Sequence, residues 1–555
     1  MAKADIKHVV TLMLENRSFD HMLGLMPNSG FEGLLKPGTT TIDPKYTNAL
    51  SSGPKGHFPA IGGAPYAIDR HLIDNKGFGG PSHTYPGATW QLYGSETPAA
   101  LADPAPLGGF VDSYYRSLTT DVHLKNPTTQ DIEVPMQAFG PGQLPVLWQL
   151  AREFAVCDHW FSEVPGPTQP NRLFVHAATS LGFTHNVWSH PIQARTVYEE
   201  LEKAGHSWAF YYFDLTDSDS FPQLKKRVEH IQKFDAFYEA AHAGSLPTYS
   251  FLCPRYNDKQ GQPPPNSQHA PYDVRNGETL IADVYEALRN GPLWSNTLLI
   301  VTYDEHGGFY DHVSPPTKNV NAPDKNVSPT DFDKAEAQRD PKNNDYLLTP
   351  KYKFDFKRLG LRVPTILISP WVKKGDVIKE QLQHTSILAT LRDLFGTGVL
   401  TDRDRQAKSF TAAFLDAARD DAPARLNRPP APAPTTGEDM QQPLTEQQTD
   451  MWPVLANLDG HKDSGKVTKP PKTRGEAQHY IQERRAAHDA FHRHRRHSAS
   501  YKISKDPSGH YQWQLHGEHH QVIAVSPHTY KTHAEAEAHI DHIRDVASQA
   551  RQVSA

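Results

Sequence analysis

Over the first 415 residues, the chain alternates between short unbroken apolar runs and longer stretches with apolar residues every three or four positions. The runs cover residues 6–14, 154–158, 208–213, 249–253, 297–302 and 363–369, each closed by polar, Gly or Pro residues. A strand that is apolar throughout is buried on both faces, so these runs predict a mostly parallel sheet covered on both sides. Helical patterns between several of them, such as 278–288 and 385–394, supply the crossovers. The expected fold class is α/β, and ligands in such folds bind beyond the carboxyl ends of the strands.

Further along, the pattern changes. Residues 1–417 form the large domain. Residues 418–475, with Arg428-Pro-Pro-Ala-Pro-Ala-Pro-Thr-Thr436 and Thr468-Lys-Pro-Pro-Lys-Thr473, read as an extended Pro-rich linker. Residues 476–498 are charged and rich in Ala, His and Arg, which predicts a solvated helix. Residues 499–555 predict a small α+β unit. It alternates at Tyr501-Lys-Ile-Ser504, turns at Gly509, alternates again over 511–515, adds a third strand at 521–525 and closes with an amphipathic helix over 532–547.

Composition narrows the function. A chain of 555 residues that is 37% hydrophobic and 10% aromatic can build a sizeable core. Its 2 cysteines, Cys157 and Cys253, exclude a disulfide framework. A formal charge of −6 argues against a nucleic-acid partner. No run reaches the roughly 18 apolar residues of a membrane span. The N-terminus shows neither a secretory hydrophobic region nor an Arg-Arg leader, so the expected location is the cytoplasm, or outside by a signal-less route. Of the 31 histidines, 14 lie after residue 450, outside the expected catalytic domain. They are expected to titrate as a solvated surface near pH ~6.5, not to bind metal as a cluster.

Candidate chemistry sits at the ends of the predicted strands. Leu14 is followed by Glu15 and Asn16, hard oxygen donors for a divalent cation, although Asn16, Ser18 and Asp20 could equally cap a helix. Tyr303 is followed by Asp304-Glu305-His306-Gly307-Gly308. Adjacent acids repel unless a cation or proton separates them, and two glycines let the backbone approach a ligand closely. Thr168 follows the restricted Val164-Pro-Gly-Pro167 and precedes a helical pattern with Pro170 in its first turn. Its hydroxyl is a helix cap, a metal-activated nucleophile near a phosphate-binding helix start, or both. His83, His269 and His384 lie in turn-like stretches or at a helix start and gain interest only beside those acids.

Taken together, Val9-Val-Thr-Leu-Met-Leu-Glu-Asn-Arg-Ser-Phe-Asp-His21, Gly166-Pro-Thr-Gln-Pro-Asn-Arg172, Thr302-Tyr-Asp-Glu-His-Gly-Gly-Phe-Tyr-Asp-His312, Gly360-Leu-Arg-Val-Pro-Thr-Ile-Leu-Ile-Ser-Pro-Trp371 and His384-Thr-Ser-Ile387 resemble a bacterial phosphoesterase family. That family contains the phosphatidylcholine-type phospholipases C and the A-type acid phosphatases, and the resemblance covers residues 5–415. It implies an alkaline-phosphatase-like three-layer α/β/α sandwich. It also implies that Glu15, Asn16, Thr168, Asp304 and Glu305 ligate a divalent metal, with Thr168 as nucleophile. His83 and His269 match histidines that contact the phosphate or the leaving group, and His384 matches a further metal-site histidine. Oxygen ligands alone point to Ca²⁺, Mg²⁺ or Mn²⁺, whereas His384 would shift the choice towards Zn²⁺ or Fe. A histidine that relatives carry mid-chain has no match; residues 208–212 stand in that region.

The expected activity is phospholipase C cleavage of the glycerol-side phosphodiester bond through a phospho-threonine. An acid phosphatase acting on soluble monoesters, or a non-catalytic binding protein that keeps the fold, are the alternatives. Expected partners are a phospholipid or other phosphate ester and a transient membrane surface, with no nucleic acid. An aromatic loop over 61–90, with Phe78, Tyr85 and Trp90, either touches lipid or packs other loops, and the polar insertion 317–350 is a lid or an ornament. Residues 501–547 resemble a YegP-like domain, which implies protein interaction or dimerisation.

Overall fold

The computed structural model describes residues 4–53, 55–73, 80–188, 191–224, 227–323, 354–449, 451, 471–496, 500–516 and 522–549. They divide into two compact units, Met1–Ile481 and Gln482–Ala555. The first is built on an eight-stranded sheet. In chain order its strands are β1 (His8–Leu14), β2 (Ala155–Cys157), β3 (Trp208–Tyr212), β4 (Ile231–Lys233), β5 (Tyr249–Cys253), β6 (Thr297–Tyr303), β7 (Ile366–Ile368) and β8 (Val377–Ile378). Their spatial order is β8-β2-β7-β6-β1-β5-β3-β4. All neighbours pair in parallel except β7, which runs against both β6 and β2. The six apolar runs are the six inner strands. The two missed strands, β4 and β8, are the short strands at the two edges.

Every residue of β3, β5 and β6 is buried, as expected for a sheet with both faces covered. Two groups of helices provide the cover. On one side α2 (Pro145–Glu153) and α5 (Asp235–Ala243) pack against α6 (Arg275–Arg289). On the other, α3 (Thr168–Ala177) packs against α4 (Val197–Lys203) and α7 (Thr385–Phe395). This is the three-layer sandwich that the resemblance implied. Pairing of β1 with β6 runs in register from His8↔Thr297 to Leu14↔Tyr303. Glu15 and Asp304, the next residue on each strand, therefore leave the sheet side by side.

The linker expectation for 418–475 needs correction. The chain divides within the helix Arg474–Arg496, not at residue 417, and the described part of 418–475 lies on the first unit. Ala422 and Leu426 are buried in its core, Arg289 donates from Nε to the Ala422 carbonyl at 3.0 Å, and Arg428 pairs with Asp283 and Glu286 of α6 at 2.6 and 3.0 Å. Proline lacks an N–H to satisfy, so an extended Pro-rich strand can run over a helix without leaving unpaired donors. Pro-rich composition marked an extended conformation correctly but not a free one.

The second unit carries β9 (Ser500–Lys505), β10 (Tyr511–His516) and β11 (Val522–Val525) as an antiparallel sheet with the helix α9 (His533–Gln549). With the unit-spanning helix Arg474–Arg496 counted as α8, this is the small α+β arrangement expected from the sequence. Trp513, Tyr530, Ala536 and Ile540 form its core. Among the described residues, no helix of either unit is long and apolar enough to cross a membrane.

One buried cation ties the carboxyl ends of three strands together. Arg362, fully buried just before β7, donates from Nε to Asp311 at 2.9 Å, from Nη2 to Asp20 at 3.2 Å and from Nη1 to Asp158 at 3.3 Å. Asp20, Asp311 and His312 have the spacing of a metal site, but the guanidinium already satisfies the two carboxylates, and His312 Nδ1 bonds Asp20 at 2.6 Å. Removing one partner of a buried ionic group leaves uncompensated charge. Arg362→Met is therefore expected to lower the unfolding free energy by roughly 3–5 kcal/mol, measured by urea titration. A loss below about 1 kcal/mol would contradict this role for Arg362.

Candidate active site

Two acidic turns face each other beyond β1 and β6. The Asn16 backbone amide donates to Asp304 Oδ1 at 2.9 Å, and the Glu305 amide donates to the same oxygen at 2.7 Å. Glu305 Oε2 accepts from the Gly307 amide at 2.7 Å. Asn16 has φ 59°, a left-handed conformation that asparagine tolerates better than most residues. Gly307 has φ 65°, and a Cβ there would stand 2.0 Å from the Asn16 carbonyl oxygen. A Cβ on Gly308 would meet the Ser82 carbonyl at 2.6 Å. The two glycines thus bring the second turn against both Asn16 and the loop that carries His83. The capping alternative is settled by Ser18, which accepts from the His21 amide and caps α1 (Phe19–Leu23), leaving Glu15 and Asn16 to the site.

Thr168 is the first residue of α3. Pro167 precedes it and no side chain caps the helix. Instead, Thr168 Oγ1 donates to Asn16 Oδ1 at 3.1 Å. Four residues on, one helical turn, Arg172 turns the same way into the acidic turns. It contacts Glu15 at 3.2 Å, Asp217 at 2.9 Å and Asp304 at 3.4 Å, and its Nη2 donates to the Met13 carbonyl at 3.1 Å. The helix start is less generous than expected: the Gln169 amide is bonded to Asn186 Oδ1 at 2.9 Å, and Pro170 has no N–H.

Three buried carboxylates, Glu15, Asp217 and Asp304, therefore share the guanidinium of Arg172, and a fourth, buried Glu305, follows Asp304 in the same turn. The charge imbalance shows in their protonation. Burial pushes Glu15 well above the usual carboxylate range, Asp304, Asp217 and Glu305 push it further, and Arg172 only partly opposes them. Burial also lifts Asp304 to about 6, with Glu305 adding and Arg172 opposing. Asp217 is the exception. Burial would raise it, but Arg172 and His176 bring it to about 2. Glu15 Oε1 and Asp304 Oδ2 have only the shared Arg172 guanidinium as an ionic partner, and Glu305 Oε1 is buried without a hydrogen-bond partner among the described residues. Under-compensated carboxylate oxygens in an over-acidic pocket fit a hard divalent cation.

His384 does not join that set. Its Nδ1 accepts from the Trp160 indole N–H at 3.1 Å, which leaves the proton on Nε2 to donate to the Asp304 carbonyl at 2.7 Å. Both ring nitrogens are occupied, and burial holds the imidazole down at about 4, so it is neutral. The histidine acts as a brace for the Asp304 turn, which corrects the expectation of a metal ligand.

The other two expected histidines do converge on the site. A narrow cleft is lined by Glu15, Thr168, His83 and His269 on its chemical side. The rings of His83 and His269 meet edge to face at 5.5 Å. His269 Nδ1 contacts the Ala270 carbonyl, and burial with His83 nearby lowers its pKa to about 3. His83 Nδ1 lies 3.3 Å from the Pro81 carbonyl, with Nε2 3.8 Å from Glu446 Oε1.

Sequence reasoning missed the other wall. Trp188 and Asn186 come from the loop after α3, and Glu446, Gln447 and Met451 from the supposed linker. Gln447 Nε2 even donates to Glu15 Oε2. Arg172 was within reach, since it lies one helical turn from Thr168. Nothing in the sequence ties 446–451 to motifs more than 130 residues earlier. Residues 208–212 are the buried strand β3 and do not replace the missing histidine. Tyr85 packs on Phe354 at 5.3 Å, and Trp90 bonds Asp112 at 3.1 Å under Arg116; Phe78 and residues 324–350 of the insertion lie outside the described residues.

Residues 6–398 match the model of the Phosphoesterase family. The chain is 34% identical over 479 residues to non-specific phospholipase C6 of Arabidopsis thaliana, covering 82% of each. It is 28% identical over 462 residues to phospholipase C B of Mycobacterium tuberculosis, covering 75% of this chain and 78% of that one. It is 29% identical over 430 residues to a non-hemolytic phospholipase C of Pseudomonas aeruginosa, covering 71% of this chain and 54% of that one.

The acidic pocket has a testable cost. Folding raises Asp304 from an ordinary 3.8 to about 6, so the folded state holds this proton more tightly than the unfolded chain does. The penalty is absent below about pH 4, grows up to about pH 6 and is complete above it. With chelator present, Asp304→Asn should raise stability at pH 7.5 by on the order of 2 kcal/mol and change little at pH 4. Adding Ca²⁺ or Mn²⁺ at pH 7.5 should then raise the melting temperature of the wild type but not of the variant. An equal rise in both would contradict the site.

Proposed function

The chain belongs to the phosphoesterase family, and from that premise we propose that it is a phospholipase C, hydrolysing the glycerol-side phosphodiester bond of phospholipids with Thr168 as nucleophile. The observation that carries this reading is the Thr168–Asn16 hydrogen bond at the rim of the four-carboxylate pocket. That hydroxyl belongs to a helix start and lies beside under-compensated carboxylates suited to a cation.

Glu15, Asn16, Thr168, Asp304 and Glu305 would hold a divalent cation, and the all-oxygen set favours Ca²⁺, Mg²⁺ or Mn²⁺ once His384 is turned away. The ion supplies positive charge that acidifies the hydroxyl and polarises the phosphoryl group. The chain's own residues do the rest. Because Thr168 Oγ1 directs its proton at Asn16, its lone pairs are left for phosphorus. Attack releases the hydroxyl proton to solvent, forms a Thr168–phosphoryl ester that keeps the head group and breaks the glycerol–phosphorus bond, and the diacylglycerol oxygen departs with a proton. His83 fits that donation best: its Nε2 has a carboxylate partner at 3.8 Å to support an imidazolium. His269, held neutral by burial, fits the role of acceptor for the water that later cleaves the ester. The start of α3 meets the developing charge with its partial positive end.

The second unit supports a separate role in contact with another surface. Val522 and Val525 stand 50% and 57% exposed on the edge strand β11, where unpaired strand edges favour association.

Thr168→Ala should lower hydrolysis of phosphatidylcholine vesicles by roughly a thousandfold or more, with the melting temperature shifted by only a few degrees. Parallel assays on para-nitrophenyl phosphate separate the lipase from a phosphatase: wild-type turnover of the monoester alone would overturn the phospholipase reading. Retained activity in Thr168→Ala would overturn the nucleophile.

A further inference from the structure

Three buried arginines of this fold are matched by acids. Arg172 meets three carboxylates, Arg362 three, and Arg403 that of Glu163. Arg17 is the contrast: it is 3% exposed and forms no ion pair among the described residues. Burial lowers its pKa to about 10, so the guanidinium is still charged at neutral pH. Its contacts are all uncharged. Nε donates to the Gln268 carbonyl at 2.8 Å, Nη1 donates to His21 Nε2 at 3.2 Å, and the cation lies 4.8 Å from the Phe309 ring centre. His21 Nδ1 bonds the Gln137 carbonyl at 2.7 Å, which puts the ring's proton there, and burial keeps the imidazole neutral. Tyr303, whose phenolate would offset the charge, is kept protonated by burial.

Arg17 borders a narrow cleft whose walls include Tyr66 and Phe309. Gln137 lines the same cleft, and its side-chain Oε1 is buried without a hydrogen-bond partner among the described residues. One uncompensated cation and one unused acceptor thus border one space. A bridging water satisfies both groups but leaves the buried charge unopposed, which is costly. A halide opposes the charge but is repelled by the amide oxygen. A singly charged oxyanion that carries a proton answers both needs. One oxygen accepts from the guanidinium, and the O–H donates to Gln137. Hydrogencarbonate has that make-up, whereas inorganic phosphate is bulkier and largely doubly charged above neutral pH.

We propose that the cleft bordered by Arg17 and Gln137 is a hydrogencarbonate site. It adjoins the loop that carries His269. The bond from Arg17 Nε holds the carbonyl of Gln268, the residue before that histidine, whose φ of 68° is left-handed. The cleft wall is tied to the same loop. The Ile68 amide donates to the Pro271 carbonyl at 3.1 Å, and the Val274 amide to the Tyr66 carbonyl at 3.0 Å. A bound anion therefore braces the loop, and its binding does not depend on the phosphoryl chemistry proposed above.

The full-length protein makes the test, with chelator present so that no metal draws the anion. At pH 8, sodium hydrogencarbonate should raise the melting temperature by a few degrees over sodium chloride of equal ionic strength. Calorimetry should show one hydrogencarbonate per chain, bound about tenfold more weakly by Arg17→Met and by Gln137→Leu. Gln137→Leu keeps every buried charge in place, so it decides the matter if Arg17→Met does not fold. Equal stabilisation by both salts, or wild-type affinity in Gln137→Leu, would overturn the site. So would a crystal grown in hydrogencarbonate that shows a lone water between Arg17 and Gln137.

Discussion

Glu15, Asp304 and Glu305 are forced together where β1 and β6 end in register, and Asp217, from beyond β3, shares their one guanidinium. Most of the architecture around the pocket answers that crowding. Arg172 neutralises part of it and holds Asp217 ionised. Backbone amides of Asn16, Glu305 and Gly307 satisfy individual oxygens. The negative charge left over fits a cation, and the Thr168 hydroxyl is held against Asn16 beside these acids. Without the parallel register of β1 and β6, Glu15 and Asp304 would not meet, and neither turn would have any reason to be acidic.

A second guanidinium carries the load below the site. Arg362 gathers Asp20, Asp158 and Asp311, each a few residues beyond a strand, and so fixes the turns that present Glu15 and Asp304. The two arginines divide the work by completeness. Around Arg362 the hydrogen bonding is saturated, which marks a structural knot. Around Arg172, Glu15 Oε1 and Asp304 Oδ2 have only that shared guanidinium and Glu305 Oε1 has no hydrogen bond, which marks a binding site. Counting acids alone does not distinguish the two clusters; counting satisfied oxygens does.

Much of this was legible in the sequence, for physical reasons. Fully buried strands leave unbroken apolar runs, so the inner strands and the two acidic turns at their ends could be located. The edge strands β4 and β8 are partly exposed and leave no such trace. The paired glycines correctly signalled a close backbone approach. His384 misled because its position beside the acids is real, while its orientation depends on the Trp160 indole, which only the fold brings to it. The largest error was the Pro-rich stretch. Proline reports extended backbone, and extended backbone can be free or laid along a helix. Only packed side chains such as Ala422 and Leu426, and the return of Gln447 to Glu15, separate the two cases.

The stereochemical course at phosphorus tests the role of Thr168 most directly, because it does not depend on an intermediate accumulating. A phosphatidylcholine analogue with a chiral phosphorothioate, hydrolysed in isotopically labelled water, reports the number of in-line displacements. Attack by Thr168 followed by attack of water predicts overall retention of configuration at phosphorus. Inversion would mean that water attacks the lipid directly, and would contradict a covalent Thr168 intermediate.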